Sequence, residues 1–112
     1  MTTSDALPEA TFHILIALAA GDRHGYAIMQ EVESATDGRL RLGAGTLYRS
    51  LQRLLEQGFI VETNDRPAPE NDDERRRYYR ITDDGRTAAR GEAARLAGMV
   101  RLAELRGIVG EA

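Results

Sequence analysis

The order in which hydrophobic periodicity changes along the chain most constrains what it can fold into. Three segments with the residue spacing of amphipathic helices come first, and two short segments with the composition of β-strands follow them. A long helical segment ends the pattern. With 112 residues, the chain has room for one domain with a modest core, or for a small domain with one appended helix. The sequence therefore predicts a mainly α-helical α+β fold with one small β-hairpin.

The first predicted helix runs from about Pro8 to Ala20, and Gly21 supplies its C-terminal end. Helical spacing places four apolar side chains on one stripe: Phe12, Leu15, Ile16 and Ala19. The second predicted helix runs from about His24 to Thr36, before the turn signal Asp37-Gly38. Its apolar members are Tyr26, Ile28, Met29 and Val32.

The third predicted helix follows the short glycine-rich stretch 43–45 and ends at Gly58. Its core-facing residues are predicted to be Leu47, Leu51, Leu54 and Leu55. Two strands, 59–63 and 78–82, are then predicted to pair as a hairpin around a long loop. Alternation in the second strand places Tyr79 and Ile81 on one face, with Tyr78 and Arg80 on the other.

The last predicted helix is capped by Thr82 and extends over 83–109, close to the end of the chain. One apolar stripe contains Leu96, Met99, Val100 and Ala103, while four more apolar residues spread around the other sides: Leu102, Leu105, Ile108 and Val109. One small domain cannot cover a terminal helix that is apolar over so much of its circumference. We therefore expect the helix to bury a second face against another chain.

Three helices followed by a hairpin form the layout of a winged helix-turn-helix, here over 8–82, with a C-terminal dimerisation helix over 83–109. In this layout the third helix enters the major groove of DNA and the long loop is the wing.

The distribution of positive charge supports a DNA-binding face although the net charge is −3 and the pI is near 5.4. All 15 cationic residues are arginines, and eight of them lie in two short blocks that contain no acidic residue. The blocks are 39–53, with Arg39, Arg41, Arg49 and Arg53, and 75–80, with Arg75, Arg76, Arg77 and Arg80. DNA responds to the face that it meets and not to the charge of the whole chain.

The candidate DNA-binding residues lie on the two helices of the helix-turn-helix and on the wing. Arg49, Ser50 and Arg53 are candidates for base edges, and the hydroxyls of Thr46 and Tyr48 for phosphate. Gly25 is a candidate for close approach to the DNA backbone, with Tyr26 either packing or touching that backbone. The wing contributes Arg75, Arg76 and Arg77 to phosphates or to the minor groove.

Four motifs in order resemble the PadR-like family of transcriptional regulators. They are His24-Gly25-Tyr26, Gly45-Thr46-Leu47-Tyr48, Gly58-Phe59-Ile60, and Arg77-Tyr78-Tyr79-Arg80-Ile81-Thr82 with Gly85 beyond. The resemblance implies a homodimer whose last helices pack across a two-fold axis and whose third helices meet a pseudo-palindromic operator. It also implies a repressor that a small molecule releases. The chain has no tryptophan and no aromatic residue after Tyr79, so a flat ligand held between aromatic residues of the last helix is not expected.

An effector cavity is expected at the dimer interface, and its aliphatic and methionine walls would suit an apolar ligand. Its predicted lining, which is also the predicted dimer interface, is Phe12, Leu15, Leu96, Met99, Val100 and Ala103. An effector of this kind acts only by binding two dimer states with different affinities.

Other classes of function find little support in the sequence. The absence of cysteine excludes disulfides, thiolate metal sites and cysteine nucleophiles. No catalytic triad order, metal-ligand spacing, cofactor motif or membrane-spanning segment is present, so we expect a cytoplasmic non-enzyme with no metal or cofactor. The acidic pI keeps one alternative open, a winged-helix protein-interaction module without specific DNA binding. A third possibility is that the chain binds DNA but belongs to another winged-helix family.

Overall fold

The structure, a computed structural model, describes residues 6–63 and 77–109. The elements in chain order are α1 (Glu9–Ala19), β1 (Arg23–His24), α2 (Gly25–Ala35), α3 (Ala44–Gln57), β2 (Ile60–Thr63), β3 (Tyr78–Ile81) and α4 (Asp83–Leu105). Four helices and a small antiparallel sheet confirm the predicted fold class. Within the two described ranges, no helix combines the length and the apolar character needed to cross a membrane.

Local hydrogen bonds define the ends of the helices. At the start of α2, Nδ1 of His24 accepts a hydrogen bond from the backbone N–H of Ala27 at 3.2 Å. Thr82 caps α4 as predicted: its Oγ1 accepts from the N–H of Gly85 at 3.0 Å. The same hydroxyl donates to the carbonyl oxygen of Gly58 at 2.7 Å, which joins the start of α4 to the end of α3. Gly58 has φ 78°, a left-handed conformation that glycine adopts at little cost.

The sheet has three strands in the order β1-β3-β2, and not the two strands of the predicted hairpin. The additional strand, β1, pairs Arg23 with Tyr79. Neither residue of β1 was predicted to form a strand, and His24 was placed at the start of the second helix, because a strand of two residues shows no alternation. An ion pair supports the pairing of β1 with β3: Arg80 on β3 donates to the carboxylate of Asp22, the residue before β1, at 2.9 and 3.2 Å. Tyr79 and Ile81 are buried on the same face of β3, as predicted.

The core lies between α1, α2, α3 and the inner face of the sheet. Its members with the largest buried side chains are Ile14, Leu15, Leu18, Ile28, Val32, Leu47, Leu51, Leu54 and Ile60. Burying one leucine or isoleucine side chain fully contributes about 1.5–3 kcal/mol. Of the four leucines predicted to face the core from α3, Leu47, Leu51 and Leu54 are buried as predicted, while Leu55 is only partly buried.

The buried face of α1 differs from the predicted stripe. The core-facing residues are Thr11, Ile14, Leu15, Ala17 and Leu18. Of the stripe, only Leu15 belongs to the core, whereas Ile16 is 44% exposed and Ala19 is also exposed. The prediction failed because almost every residue of α1 is apolar, so more than one stripe fits the helical period. Tyr26, predicted as an apolar member of α2, is 60% exposed.

Gly85 brings the first turn of α4 against the backbone that links α3 to β2. A Cβ atom at this position would collide with the carbonyl oxygen of Phe59 and would lie 2.9 Å from Cγ1 of Ile81. A backbone oxygen inside a packed domain cannot move aside as a flexible side chain can. Glycine at this position therefore sets how closely α4 approaches the domain.

We expect Gly85→Ala to destabilise the protein by about 1–3 kcal/mol, because the added methyl overpacks a fixed backbone contact. Gly98→Ala is the matched control, since a Cβ at Gly98 on the same helix meets no atom within 4 Å. The control is expected to gain about 0.5–1 kcal/mol through helix propensity. Urea unfolding at one fixed protein concentration measures both changes. Equal effects of the two substitutions would contradict the close contact at Gly85.

Candidate nucleic-acid interface

The outer face of α3 is determined by the burial of its leucine face. Because Leu47, Leu51 and Leu54 point into the core, the side chains between them point away from it. Tyr48, Arg49, Gln52 and Arg53 are exposed, and Ser50 is partly buried. The helix follows α2 after a short connection, so the two form a helix-turn-helix with α3 as its second helix.

The arginines of α3 keep their charge available on this face. Among the described residues, neither Arg49 nor Arg53 forms an ion pair with a carboxylate. Nη2 of Arg49 is 3.5 Å from Oγ1 of Thr46, a long hydrogen bond that directs the guanidinium toward the N-terminal end of the helix. The nearest acid on the helix, Glu56, accepts instead from Nε2 of Gln52 at 3.2 Å. This face of α3 is therefore positive although the whole chain is acidic.

Gly25 packs beneath Tyr48. A Cβ atom on Gly25 would collide with the Tyr48 hydroxyl and would lie 3.4 Å from Cδ2 of Leu47. The residue is buried, so the structure gives Gly25 a packing role between α2 and α3. Tyr48 and Tyr26 remain 52% and 60% exposed, which leaves both phenols accessible at the same end of the helix-turn-helix.

Arg77 is the only one of the three wing arginines within the described residues. It is exposed, and its Nη1 is 3.5 Å from Oε2 of Glu62 on β2. Arg75 and Arg76, predicted as wing contacts, lie outside the described residues. Next to the helix-turn-helix, Arg41 pairs with Glu33 at 3.4 Å. Exposed pairs of this kind contribute about 0–1 kcal/mol and exchange readily for another anion.

Tyr79 on β3 has a phenol whose pKa responds to its burial and to groups on the sheet and on α3. Burial raises the pKa of its phenol, and the nearby carboxylate of Glu62 raises it further. Tyr48 acts in the same direction, while the positive charge of Arg77 acts against them. The phenol therefore stays neutral over a wider pH range than an exposed tyrosine.

The second half of α4 exposes a large apolar surface. Met99 and Val100 are 54% and 53% exposed, and Leu96 and Ala103 are partly buried. Leu102 and Leu105 on this half of the helix are also highly exposed, as are Ile108 and Val109 just beyond its end. Exposed apolar side chains in this number on a small domain are typical of a site of association.

A groove of about 380 Å³ separates α1 from the first half of α4. Its lining comprises Phe12, Leu15, Ile16, Ala19, Ile81, Arg86, Ala89, Arg90 and Ala93. The predicted effector cavity, expected at the dimer interface, joined Phe12 and Leu15 to Leu96, Met99 and Val100; of these residues, Phe12 and Leu15 line the groove of a single chain. The structure instead places Ala89 and Ala93 opposite α1. Their spacing of four residues was a signal for this contact, but alanine is too common in helices to single it out.

Candidate metal ligands do not converge in the described part of the chain: no three histidine or acidic side chains form a group there. His13 pairs with Glu9 at 4.0 Å, and His24 caps α2.

A helix-turn-helix followed by a small sheet defines a winged-helix protein. The sequence pattern of the family described as "Transcriptional regulator PadR-like family" matches residues 14–91. The chain belongs to this family, as the four motifs implied. The match covers both helices of the helix-turn-helix, the sheet and the beginning of α4.

Two solved structures and one uncharacterised protein are similar to this chain. A transcriptional regulator from Clostridium thermocellum superimposes with a TM-score of 0.72 at 27% identity, over 90% of each chain. A PadR family transcription regulator from Clostridium difficile has a TM-score of 0.73 at 19% identity, over 88% of this chain and 97% of the other. An uncharacterised protein of Lysinibacillus sphaericus is 36% identical over 73 residues, which are 65% of this chain and 64% of that protein. The family and the two solved structures are regulators and not enzymes.

The raised pKa of Tyr79 predicts a loss of stability at high pH. A phenol whose pKa is higher in the folded state contributes stability that is complete below the unfolded value of about 10.0 and is lost as pH rises through the folded pKa. We expect Tyr79→Phe to remove this loss, so that its stability falls less between about pH 9 and about pH 11. Tyr26→Phe, at an exposed position, is the control and should keep the wild-type slope. Urea unfolding followed by circular dichroism gives the slopes, and identical slopes for wild type and Tyr79→Phe would contradict the shift.

Proposed function

We propose that this chain is a cytoplasmic transcriptional regulator that binds double-stranded DNA by inserting α3 into the major groove. The observation that carries the proposal is the pair of arginines on the outer face of α3, unpaired among the described residues and four residues apart. A bidentate contact from arginine to guanine discriminates against other bases by about 1–3 kcal/mol. In this role Arg49 and Arg53 read base edges, and Ser50 contributes at the edge of the contact.

Other exposed groups would hold the helix in register by contacting phosphate. Thr46 lies in the first turn of α3, where backbone N–H groups and the helix dipole favour an anion. Tyr48 and Tyr26 present their phenols beside that turn. The wing would add Arg77, whose exposed ion pair with Glu62 is weak enough to exchange for phosphate. Arg75 and Arg76 would add their charges beside it. Contacts of this class set position without reading sequence.

The regulator would act as a homodimer through the exposed second half of α4, with 8–82 as the DNA-binding domain and 83–109 as the dimerisation segment, of which α4 forms the part up to Leu105. The apolar stripe of Met99 and Val100, half exposed in one chain, supports this assembly. A two-fold dimer presents two copies of α3 to a pseudo-palindromic operator, with half-site centres about 34 Å apart.

The dimer would act as a repressor that a small apolar ligand releases. The groove beside Phe12, together with a partner helix that brings Leu96, Met99 and Val100, would form a cavity of suitable chemistry. The ligand would release DNA by binding more tightly to a dimer whose two copies of α3 miss successive major grooves. A thermal-shift screen of diverse apolar compounds that finds no stabilisation would contradict this part of the proposal.

We expect the double variant Arg49→Ala/Arg53→Ala to lose at least about tenfold in DNA affinity, because it removes both base-reading groups. Arg86→Ala/Arg90→Ala is the matched control: it removes the same charge from exposed positions on the first half of α4, outside the proposed DNA contacts and the Met99 and Val100 stripe. Fluorescence anisotropy on the upstream region of the protein's own gene, from about 50 to 200 mM salt, measures affinity and its salt dependence.

Equal losses in the two variants would mean that α3 is not the reading element and would contradict the proposal. Binding of the wild type that is undetectable even at low salt would instead support the winged-helix protein-interaction module. The acidic pI of the chain is the observation that favours this second function.

Dimerisation through α4 predicts that Val100→Glu weakens self-association by at least about a hundredfold, because it would bury a charge without a partner. Ala94→Glu is the control: it introduces the same charge at an exposed position on the opposite side of α4 from the Met99 and Val100 stripe. Sedimentation equilibrium of wild type and both variants gives the dissociation constants. A dimer that Val100→Glu leaves intact would place the interface elsewhere.

A further inference from the structure

Glu92 is a buried carboxylate on a helix whose surface is otherwise mostly exposed. It is 5% exposed, and the only other buried residue of α4 is Gly85. Acidic side chains are almost never buried to this degree unless they are paired. The proposed DNA contacts and the proposed dimer stripe make no use of it.

Both oxygens of the Glu92 carboxylate are satisfied. Oε1 accepts from the backbone N–H of Leu7 and from Nε of Arg95, both at 3.1 Å. Oε2 accepts from Nη2 of Arg95 at 2.6 Å. The Arg95 hydrogen bonds hold the pKa of this carboxyl below its ordinary range, so it remains charged at neutral pH. We call the three residues Leu7, Glu92 and Arg95 the clamp, because they tie the segment before α1 to α4.

The clamp lies where α4 leaves the domain. Before it, Gly85 and Ala89 pack against the sheet and α1, and Ala93 is the last residue of α4 that lines the groove beside α1. Beyond it, only Leu96 and Ala103 are even partly buried. The roughly 13 residues from Ala93 to Leu105 extend the helix by about 20 Å at a rise of about 1.5 Å per residue.

The pair of Glu92 and Arg95 is buried at the carboxylate and exposed at the guanidinium, so it is a poor source of stability but a good source of direction. The cost of removing the Glu92 charge from water offsets much of its attraction to Arg95, and apolar residues of similar volume often stabilise as much or more. Hydrogen bonds, in contrast, constrain the angles at both donor and acceptor. A leucine at position 92 would bury area without defining an angle. The hydrogen bond from the Leu7 N–H does define one, and the two bonds from Arg95, which lies on α4 itself, hold the carboxylate in the rotamer that accepts it.

We propose that the clamp of Leu7, Glu92 and Arg95 sets the angle at which α4 leaves the domain, and thereby the separation of the two copies of α3 in the dimer. Glu92 and Arg95 are then positioning residues for operator spacing. A change of about 10° at the clamp displaces the far end of α4 by about 3 Å, and the two-fold axis applies the change twice. This inference rests on the proposed dimer.

The absence of cysteine in the natural chain allows a direct distance measurement. Gln52→Cys on the exposed face of α3 carries one spin label per protomer, and pulsed electron paramagnetic resonance measures the distance between the two labels. The test variant is Glu92→Met/Arg95→Met, which keeps side-chain volume, removes both charges and should remain folded. Glu92→Gln is a second, milder variant. Glu104→Gln, an exposed acid on the same helix, is the control.

We expect a narrow distance distribution for the wild type and for Glu104→Gln. The double variant should give a distribution at least about twice as broad, or a mean shifted by several ångströms. It should remain folded and dimeric, with a melting temperature lowered only by the loss of the acceptor for the Leu7 N–H. A folded, dimeric double variant with the wild-type distribution would overturn the proposal. A wild type that shows no distance between labels is not a dimer. That result would remove the proposed assembly, and the proposal with it, and is distinguishable from failure of the clamp alone.

Discussion

The packing of the leucine face of α3 into the core is the contact on which the rest of the structure depends. Leu47, Leu51 and Leu54 have at most 1% exposure, and their burial against α1 and the sheet determines the rotation of the helix about its own axis. With a period of 3.6 residues, that rotation leaves Arg49 and Arg53 on the outside. Gly25 contributes by letting Tyr48 lie against α2. The positive face is thus a consequence of core packing, and it exists although the chain as a whole is acidic.

The two halves of α4 obey different physical constraints. The first half is held by contacts that cannot shift: the Thr82 cap, the close approach at Gly85 and the carboxylate of Glu92. The second half carries apolar side chains that its own domain does not cover, such as Leu105 at 76% exposure. A helix that is fixed at one end and apolar at the other is suited to couple an interface to the position of α3. In the proposed dimer, binding and release of DNA would be controlled through the geometry of this one helix.

Local signals in the sequence predicted most of the fold, and contacts between distant residues account for what it missed. The leucine period of α3, the Thr82 cap and the alternation of Tyr79 and Ile81 are each encoded within a few residues. The strand β1 depends on pairing with residues far along the chain, and the buried face of α1 is ambiguous in a helix that is apolar nearly all round. The charged face of α3 was predicted because the leucines reveal its opposite side. Glu92 was missed because nothing in its neighbours distinguishes a buried glutamate from a solvated one, and its partner Leu7 is 85 residues away.

Selection of DNA from a randomised pool by the full chain, followed by hydroxyl-radical footprinting of the enriched sequences, tests the central claim most directly. A two-fold dimer that reads DNA through α3 predicts an inverted repeat whose half-site centres lie about 10 base pairs apart, with protection confined to one face of the duplex. Enrichment without an inverted repeat would contradict the dimeric arrangement. No enrichment at low salt would contradict the assignment of α3 as a reading helix.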